Sequence, residues 1–419
     1  MPTTKMKTER RFEIDLERFP AVVFESDDWG AAEYTPSEDL RDVISQILPG
    51  RSVNPKLESP AELQALYSIL EKHRGADGLN PVFTAFTCMA NPDFDAIRKN
   101  GFTKYVDIPV DKGFPPGWNG EGIVDAWRDG IRRGIWHPEY HANLHHVSTK
   151  LWMALLNEDS PKGETTRKLF DLNCYSQVNH LPEYEGFTDH EMQHLIRRGF
   201  DNFERTFGYA PSAAITSDAY LRTVKFWNEA GIHTACLINF RLNDGTIVTY
   251  GNNKPWNFQD TEGRCGDYDS ERDVIYLTRN VWFEHANPAV PAEDAMVAVE
   301  NNFRKYDSPA VIQSHRANYC TYPFEAEAVR LNELDRLLGM LDRRGVYFLT
   351  TPELGDLYRQ GWSKRSLAGG TVIRKWSVCQ PPENSGKVRD LATGKMTVLT
   401  RNTIGNFMQE EPMPYKKTE

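Results

Sequence analysis

The run Ala21-Val22-Val23-Phe24-Glu25-Ser26-Asp27-Asp28-Trp29-Gly30 decides how the rest of the chain is read. An apolar stretch leads into two adjacent carboxylates and a glycine, the profile of a buried strand that ends in a polar turn. In a mostly parallel α/β fold the C-terminal ends of the strands open onto the functional face, so Asp27 and Asp28 are expected at a catalytic mouth. Two carboxylates in contact repel each other unless a cation or a raised pKa relieves them. A metal ion beside Asp28 would do so, and would leave Asp27 free to take a proton from a water.

Outward from this run, short apolar segments alternate with amphipathic ones. Expected strands are 21–26, 82–87, 134–137, 212–216, 233–238, 274–278, 310–314 and 346–349, with helices over 37–47, 60–73, 123–133, 189–207, 219–230, 292–305, 324–344 and 352–359. This alternation predicts an α/β fold, a distorted (β/α) barrel. Residues 1–360 are expected to form the barrel domain. After Gly361 the composition turns to Gly-Gly, Pro-Pro and β-branched pairs, so 361–419 are expected to be a small β-rich C-terminal extension.

Three further segments carry chemistry-bearing side chains. His137-Pro138-Glu139-Tyr140-His141-Ala142-Asn143-Leu144-His145-His146 concentrates imidazoles, and on one helical turn His137 and His141, four apart, would converge on a single ion. With Asp28 they would make an N,N,O set that leaves positions open for water and substrate, the pattern of a catalytic metal. The spacing H-x-E-x-H excludes the H-E-x-x-H arrangement of a zinc protease. The apolar run 310–314 ends in His315-Arg316. In a closed barrel that strand returns beside the first, so His315 could protonate a leaving group. Leu277-Thr278-Arg279-Asn280-Val281-Trp282-Phe283-Glu284-His285 ends another strand; Arg279 would suit an ion pair orienting a catalytic carboxylate, and Trp282 the face of a sugar.

Composition narrows the partners. The chain has 419 residues, with 49 basic against 59 acidic for a net charge of −10, and no long basic run, which disfavours nucleic acid and anionic membranes. Six cysteines lie scattered without C-x-x-C spacing, as expected of free thiols in a reducing compartment. The charged stretch 1–20 has no apolar signal-peptide core, so a cytoplasmic location is expected.

The segments quoted resemble the polysaccharide deacetylases of the NodB-homology type, carbohydrate esterase family 4 and its relatives. The first family motif, T-F-D-D-G, is similar to Glu25-Ser26-Asp27-Asp28-Trp29-Gly30; the second, H-[ST]-x-x-H followed by P-N-L, is similar to 137–144; the late L-x-H resembles Gln313-Ser314-His315. The resemblance implies a barrel of the glycoside hydrolase/deacetylase type and one divalent metal, most often Zn2+. It implies Asp28, His137 and His141 as ligands, Asp27 as general base and His315 as catalytic acid. The arginine of the family's R-P-P-Y motif is missing from 211–217, so either Arg279 or Arg316 braces the base or the base is held differently. Trp29, Trp282 and Arg316 are expected at the substrate. The function expected is removal of acetyl groups from an N- or O-acetylated carbohydrate. The alternatives are a glycoside hydrolase pairing Asp27 with Glu139 or Glu284, and a non-catalytic carbohydrate-binding protein.

Overall fold

The structure is a computed structural model that describes residues 8–9, 11–12, 14, 16–17, 19–51, 53–145, 147–175, 183–241, 247–249, 256–258, 261–263, 265–284, 289–367, 370–375, 388–389, 396–397 and 408–410. Its main sheet is built from β1 (Ala21–Trp29), β2 (Phe83–Cys88), β3 (Trp136–Ala142), β4 (Ala213–Tyr220), β5 (Thr234–Arg241), β6 (Val274–Leu277), β7 (Val281–Trp282) and β8 (Ala310–His315). Each neighbouring pair is parallel, in the order β6-β5-β4-β3-β2-β1-β8-β7. β6 and β7 are two halves of one run: Ile275–Leu277 pair with β5, and after Thr278-Arg279-Asn280 the same chain pairs with β8. That switch of partner closes the sheet into a distorted barrel of seven staves.

Side-chain contacts across the interior confirm the closure. Cys236 of β5 lies four strands from β1, about 19 Å away on a flat sheet, yet its Sγ is 3.1 Å from Glu25 Oε1. The eighth expected strand, β9 (Tyr347–Leu349), is real but outside the ring. It pairs with Ala21–Val23 at the foot of β1, below the stretch that pairs with β2.

The helical segments wrap the outside. They are α1 (Arg41–Ile47), α2 (Pro60–Leu70), α3 (Phe94–Lys99), α4 (Ile123–Arg133), α5 (Thr149–Leu156), α6 (Pro161–Asp171), α7 (Asp189–Phe207), α8 (Leu221–Glu229), α9 (Ala292–Lys305), α10 (Phe324–Arg344) and α11 (Thr351–Gln360). Local signals set their starts: Ser59 with Glu62 and Thr350 with Glu353 form capping boxes, each with a proline in the first turn. Phe24, Phe83 and Trp136 are register neighbours on successive staves and pack outward under Tyr67 of α2. Excursions after β1, β2 and β3 build a second lobe with its own apolar clusters: Phe94, Leu144, Trp152 and Phe170 in one, Ile44, Val53 and Leu169 in the other. α3, α5 and α6 belong to this lobe.

Beyond the barrel, β10 (Trp362–Leu367) and β11 (Gly370–Lys375) form an antiparallel hairpin, and short strands at 388–389, 396–397 and 408–410 extend its sheet. The rest of 376–419 lies outside the described residues. The hairpin is tied to the barrel by Arg374, whose guanidinium donates to Asp77 Oδ2 at 2.8 Å and to Glu353, all three buried. Five cysteines are described, all buried, and no disulfide joins any two of them.

Removing one member of a buried ionic network leaves its partners charged without compensation, a loss of about 3–5 kcal/mol. Arg374→Met is expected to destabilise the protein by that amount in urea unfolding. A loss under about 1 kcal/mol, typical of exposed pairs, would show that the hairpin is only loosely tied.

Candidate metal centre and proton-transfer groups

Two irregularities in the barrel wall aim the polar side chains at its mouth. The β1–β2 ladder shifts register between Ser26 and Trp29, and Asp28 within the shift has φ +71°. In a regular strand Asp27 and Asp28 would point to opposite faces; the bulge turns Asp28 so that both carboxylates reach the mouth. The β2–β3 ladder shifts in the same way. Thr87 pairs with Tyr140 but Cys88 pairs with Ala142, which leaves His141 as the extra residue. Past Asn143-Leu144 the chain turns back and delivers His145. Asp28 Oδ1 is 2.8 Å from His145 Nε2 and 3.3 Å from His141 Nε2, and the ligand atoms of Asp28, His141 and His145 lie within 4.8 Å of one another. Among the described residues they form the group that could hold a metal ion.

This corrects the expectation for His137. Residues 136–142 are a strand, not a helix, so His137 and His141 are separated by about 13 Å of extended backbone and cannot share an ion. His137 sits near the foot of β3, where its Nε2 lies 3.1 Å from Glu139 Oε1. The four-residue spacing occurs again at His141…His145, and there a turn, not a helix, brings the rings together.

Asp27 occupies the interior face, held in a fork by Arg279, whose NH1 and NH2 donate to its two oxygens at 2.6 and 2.5 Å. Arg279 Nε also donates to Glu25 Oε2 at 2.7 Å, and Glu25 accepts from Thr351 Oγ1 at 2.9 Å. Burial pushes the Asp27 pKa up, but Arg279 outweighs it and holds the carboxyl below its ordinary value. Of the two arginines expected to brace Asp27, it is Arg279 that grips it, and Arg316 lies elsewhere. His315 pairs in register with Asp27 across β8 and β1, its Nε2 3.7 Å from Asp27 Oδ2. Its Nδ1 is 2.6 Å from Glu284 Oε1, and Asn318 Nδ2 donates to the other Glu284 oxygen at 3.2 Å. Burial disfavours the imidazolium, but Glu284, Asp28 and Asp27 prevail and raise the His315 pKa to about 9. His285 lies outside the described residues.

His145 reveals what the trio lacks. Its Nδ1 is 2.6 Å from the buried carboxylate of Glu33, which fixes the ring and turns Nε2 toward Asp28. Burial opposes charging His145, yet the carboxylates of Asp28 and Glu33 on either side raise its pKa to about 10. Two imidazoles and two carboxylates in one buried place call for a positive charge. A proton on His145 supplies one, and a divalent cation fits the same donor set.

Two of the expected substrate contacts are structural instead. Trp29 is fully buried, edge-on to Trp136 at 4.5 Å with its Nε1 donating to Ser26 Oγ at 3.1 Å. Arg316 is 1% exposed and donates to the Ala31 carbonyl and to Glu58. Trp282, in β7, is 42% exposed. Glu33, Glu58 and Asn91 were not foreseen, being isolated polar residues with no motif around them. His145 lay within the histidine cluster, and only the wrong local period hid it.

No family model and no curated protein matches this chain. Solved structures similar to it include a protein from Mycobacterium smegmatis assigned as a polysaccharide deacetylase, 10% identical over 85% of this chain and 95% of that one, with a TM-score of 0.42. A family 4 acetyl xylan esterase from Clostridium thermocellum, solved with cobalt, is 10% identical over 80% and 91%, TM-score 0.35. A 4-alpha-glucanotransferase from Thermococcus litoralis is 11% identical over 80% of this chain and 40% of that one, TM-score 0.40. Likeness of this order concerns the course of the chain, not its chemistry.

Dialysis against Zn2+ followed by elemental analysis is expected to find about one ion per folded chain. His145→Ala should lose it and His137→Ala should keep it; the reverse result would return the ligand role to His137. Because His145 carries a proton to about pH 10 in the absence of an ion, uptake at neutral pH should release protons, and affinity should weaken as pH falls. Titration heats that do not vary with the buffer's ionisation enthalpy would refute the linkage.

Proposed function

We propose that the chain is a metal-dependent hydrolase that removes acetyl groups from an N- or O-acetylated carbohydrate. The observation that carries this reading is the adjacency of the Asp28–His141–His145 trio to an ionised, arginine-clamped carboxylate and to a histidine in register with it. A divalent ion, for which zinc suits two imidazoles and a carboxylate, would polarise an acyl carbonyl and acidify a water enough for a base as weak as Asp27. Asp27 accepts the proton of the attacking water, and Arg279 keeps it ionised and fixed in direction. His315, kept protonated by Glu284, donates to the departing amine or alkoxide. Trp282 offers a ring face to the sugar.

The geometry disfavours the alternatives. Glu139 accepts from the Ser212 and Ala213 amides, both at 2.9 Å, and so fastens β3 to the start of β4. Glu284 is committed to His315 and Asn318. A pair of carboxylates flanking a glycosidic bond therefore lacks its second member. A protein that only binds sugar has no use for a half-buried histidine held charged next to a clamped aspartate.

Asp27→Asn should retain the metal and lower turnover of an acetylated sugar by about 100-fold or more; loss of metal in that variant would exchange the roles of the two aspartates. His315→Ala should cost more with an acetamido sugar than with an activated aryl acetate, whose leaving group needs no proton. Equal losses would make His315 a packing residue. Glu284→Gln removes the charge that raises the His315 pKa, so the alkaline limb of kcat should move to lower pH. An unmoved limb would show that another group is the acid.

A further inference from the structure

The turn that follows the paired aspartates is held by side chains that no step above uses. Asp28 has φ +71° and Gly30 +78°, and the turn is closed by the Ala31 amide donating to the Asp28 carbonyl at 3.2 Å. A left-handed backbone is disfavoured for residues with a Cβ, though aspartate tolerates it better than most, and its surroundings help to hold it there. Here they do so through the backbone. The Gly30 amide donates to Glu58 Oε1 at 2.9 Å, and the Gly30 carbonyl accepts from Asn91 Nδ2 at 2.9 Å. The Ala31 carbonyl accepts from Arg316 NH1 at 2.5 Å, and the Ala32 amide donates to Asn91 Oδ1 at 2.7 Å. Arg316 NH1 also reaches Glu58 Oε2 at 3.3 Å, which joins two of the three side chains to each other.

All three side chains are buried and come from separate places in the fold: Glu58 from the loop before α2, Asn91 from the segment after β2, and Arg316 from the residue after His315. The turn has no slack. A Cβ on Gly30 would lie 2.9 Å from the Cys88 carbonyl oxygen and 3.1 Å from Trp127. Arg316 therefore ties the strand end that presents His315 to the turn that presents Asp28, across the β8–β1 seam.

We propose that Arg316, Glu58 and Asn91 are positioning residues that fix Asp28 in its left-handed conformation, and so set its distance from His145 and His141 and its placement against His315. The inference rests on the metal-centre reading given above. The chemistry requires these residue types. Asn91 must donate and accept at once, which leucine and aspartate cannot do. Arg316 must give one donor to a carbonyl and a charge to Glu58. Lysine retains both functions with a shorter reach.

The test measures Zn2+ affinity of the full chain by competition with a chromophoric chelator, beside thermal unfolding, in Arg316→Met, Arg316→Lys, Asn91→Leu and Glu58→Gln. Arg316→Met and Asn91→Leu are expected to weaken Zn2+ binding by about 10- to 100-fold, the usual effect of removing groups that orient ligands. Arg316→Lys and Glu58→Gln, which each keep the hydrogen bond to the turn, should recover most of the affinity. In a crystal structure of Arg316→Met without added metal, Asp28 should leave positive φ and its Oδ1 should move away from His145 Nε2. Wild-type affinity and unchanged Asp28 geometry in folded Arg316→Met and Asn91→Leu, with only the melting temperature lowered, would overturn the proposal. If Arg316→Met does not fold, Asn91→Leu decides, and wild-type Zn2+ affinity with unchanged Asp28 geometry in that folded variant overturns the proposal. A wild-type chain that binds no Zn2+ would instead refute the metal-centre reading, and the metal-free crystal structure would still decide the positioning role.

Discussion

Arg279, gripped between Glu25 and Asp27, is the interaction on which the rest of the molecule leans. It lies at the point where one run of chain stops pairing with β5 and starts pairing with β8, so the charge that orders Asp27 also sits at the closure of the barrel. A guanidinium and two carboxylates inside a barrel would be costly if any were left unpaired. All three are matched, and Glu25 gains further hydrogen bonds from Cys236 of β5 and from Thr351 at the start of α11. Structure and reactivity share this network: what holds the staves together also keeps Asp27 ionised.

Around that network, two extra residues in otherwise regular ladders make the mouth. A seven-staved parallel wall offers only every second side chain to its interior. Asp27 and Asp28 reach the same mouth because β1 bulges between them, and His141 joins them because β3 bulges beside it. The second lobe built from α1, α3, α5 and α6 rises from the ends of these same strands, and His145 lies at its root, in the turn between β3 and α5.

Much of this was legible in the sequence. The alternation of apolar runs and amphipathic helices placed a strand in each stave but missed β7, because buried parallel strands read as short apolar blocks and the two residues of β7 are too few to make one. Asp27, Asp28, His315 and Arg279 were recognisable because each ends such a block. The error at His137 has a definite physical origin: four-residue spacing is a helical signal, but Trp136–Ala142 is strand, and proximity there comes from a bulge and a turn that leave no periodic trace. Trp29 and Arg316 were misplaced for a related reason. Position next to Asp28 or His315 says nothing about which face a side chain takes, and both are buried, Trp29 against Trp136 and Arg316 against the Ala31 carbonyl. Glu33, Glu58 and Asn91 act on backbone and ring atoms remote in sequence, so only the folded chain identifies them.

The closure of the barrel by residues so far apart along the chain has a consequence for how the protein is made. Asp27 waits for an arginine 252 positions later, Ala31 for one 285 later, and Glu25 for a threonine 326 later. At roughly 5–20 residues per second of synthesis, the paired aspartates emerge from the ribosome some tens of seconds before the side chains that neutralise them. No N-terminal fragment can contain a finished site. The nascent chain carries an uncompensated acidic strand end until the closing staves emerge, so the final stave and the charge balance arrive together.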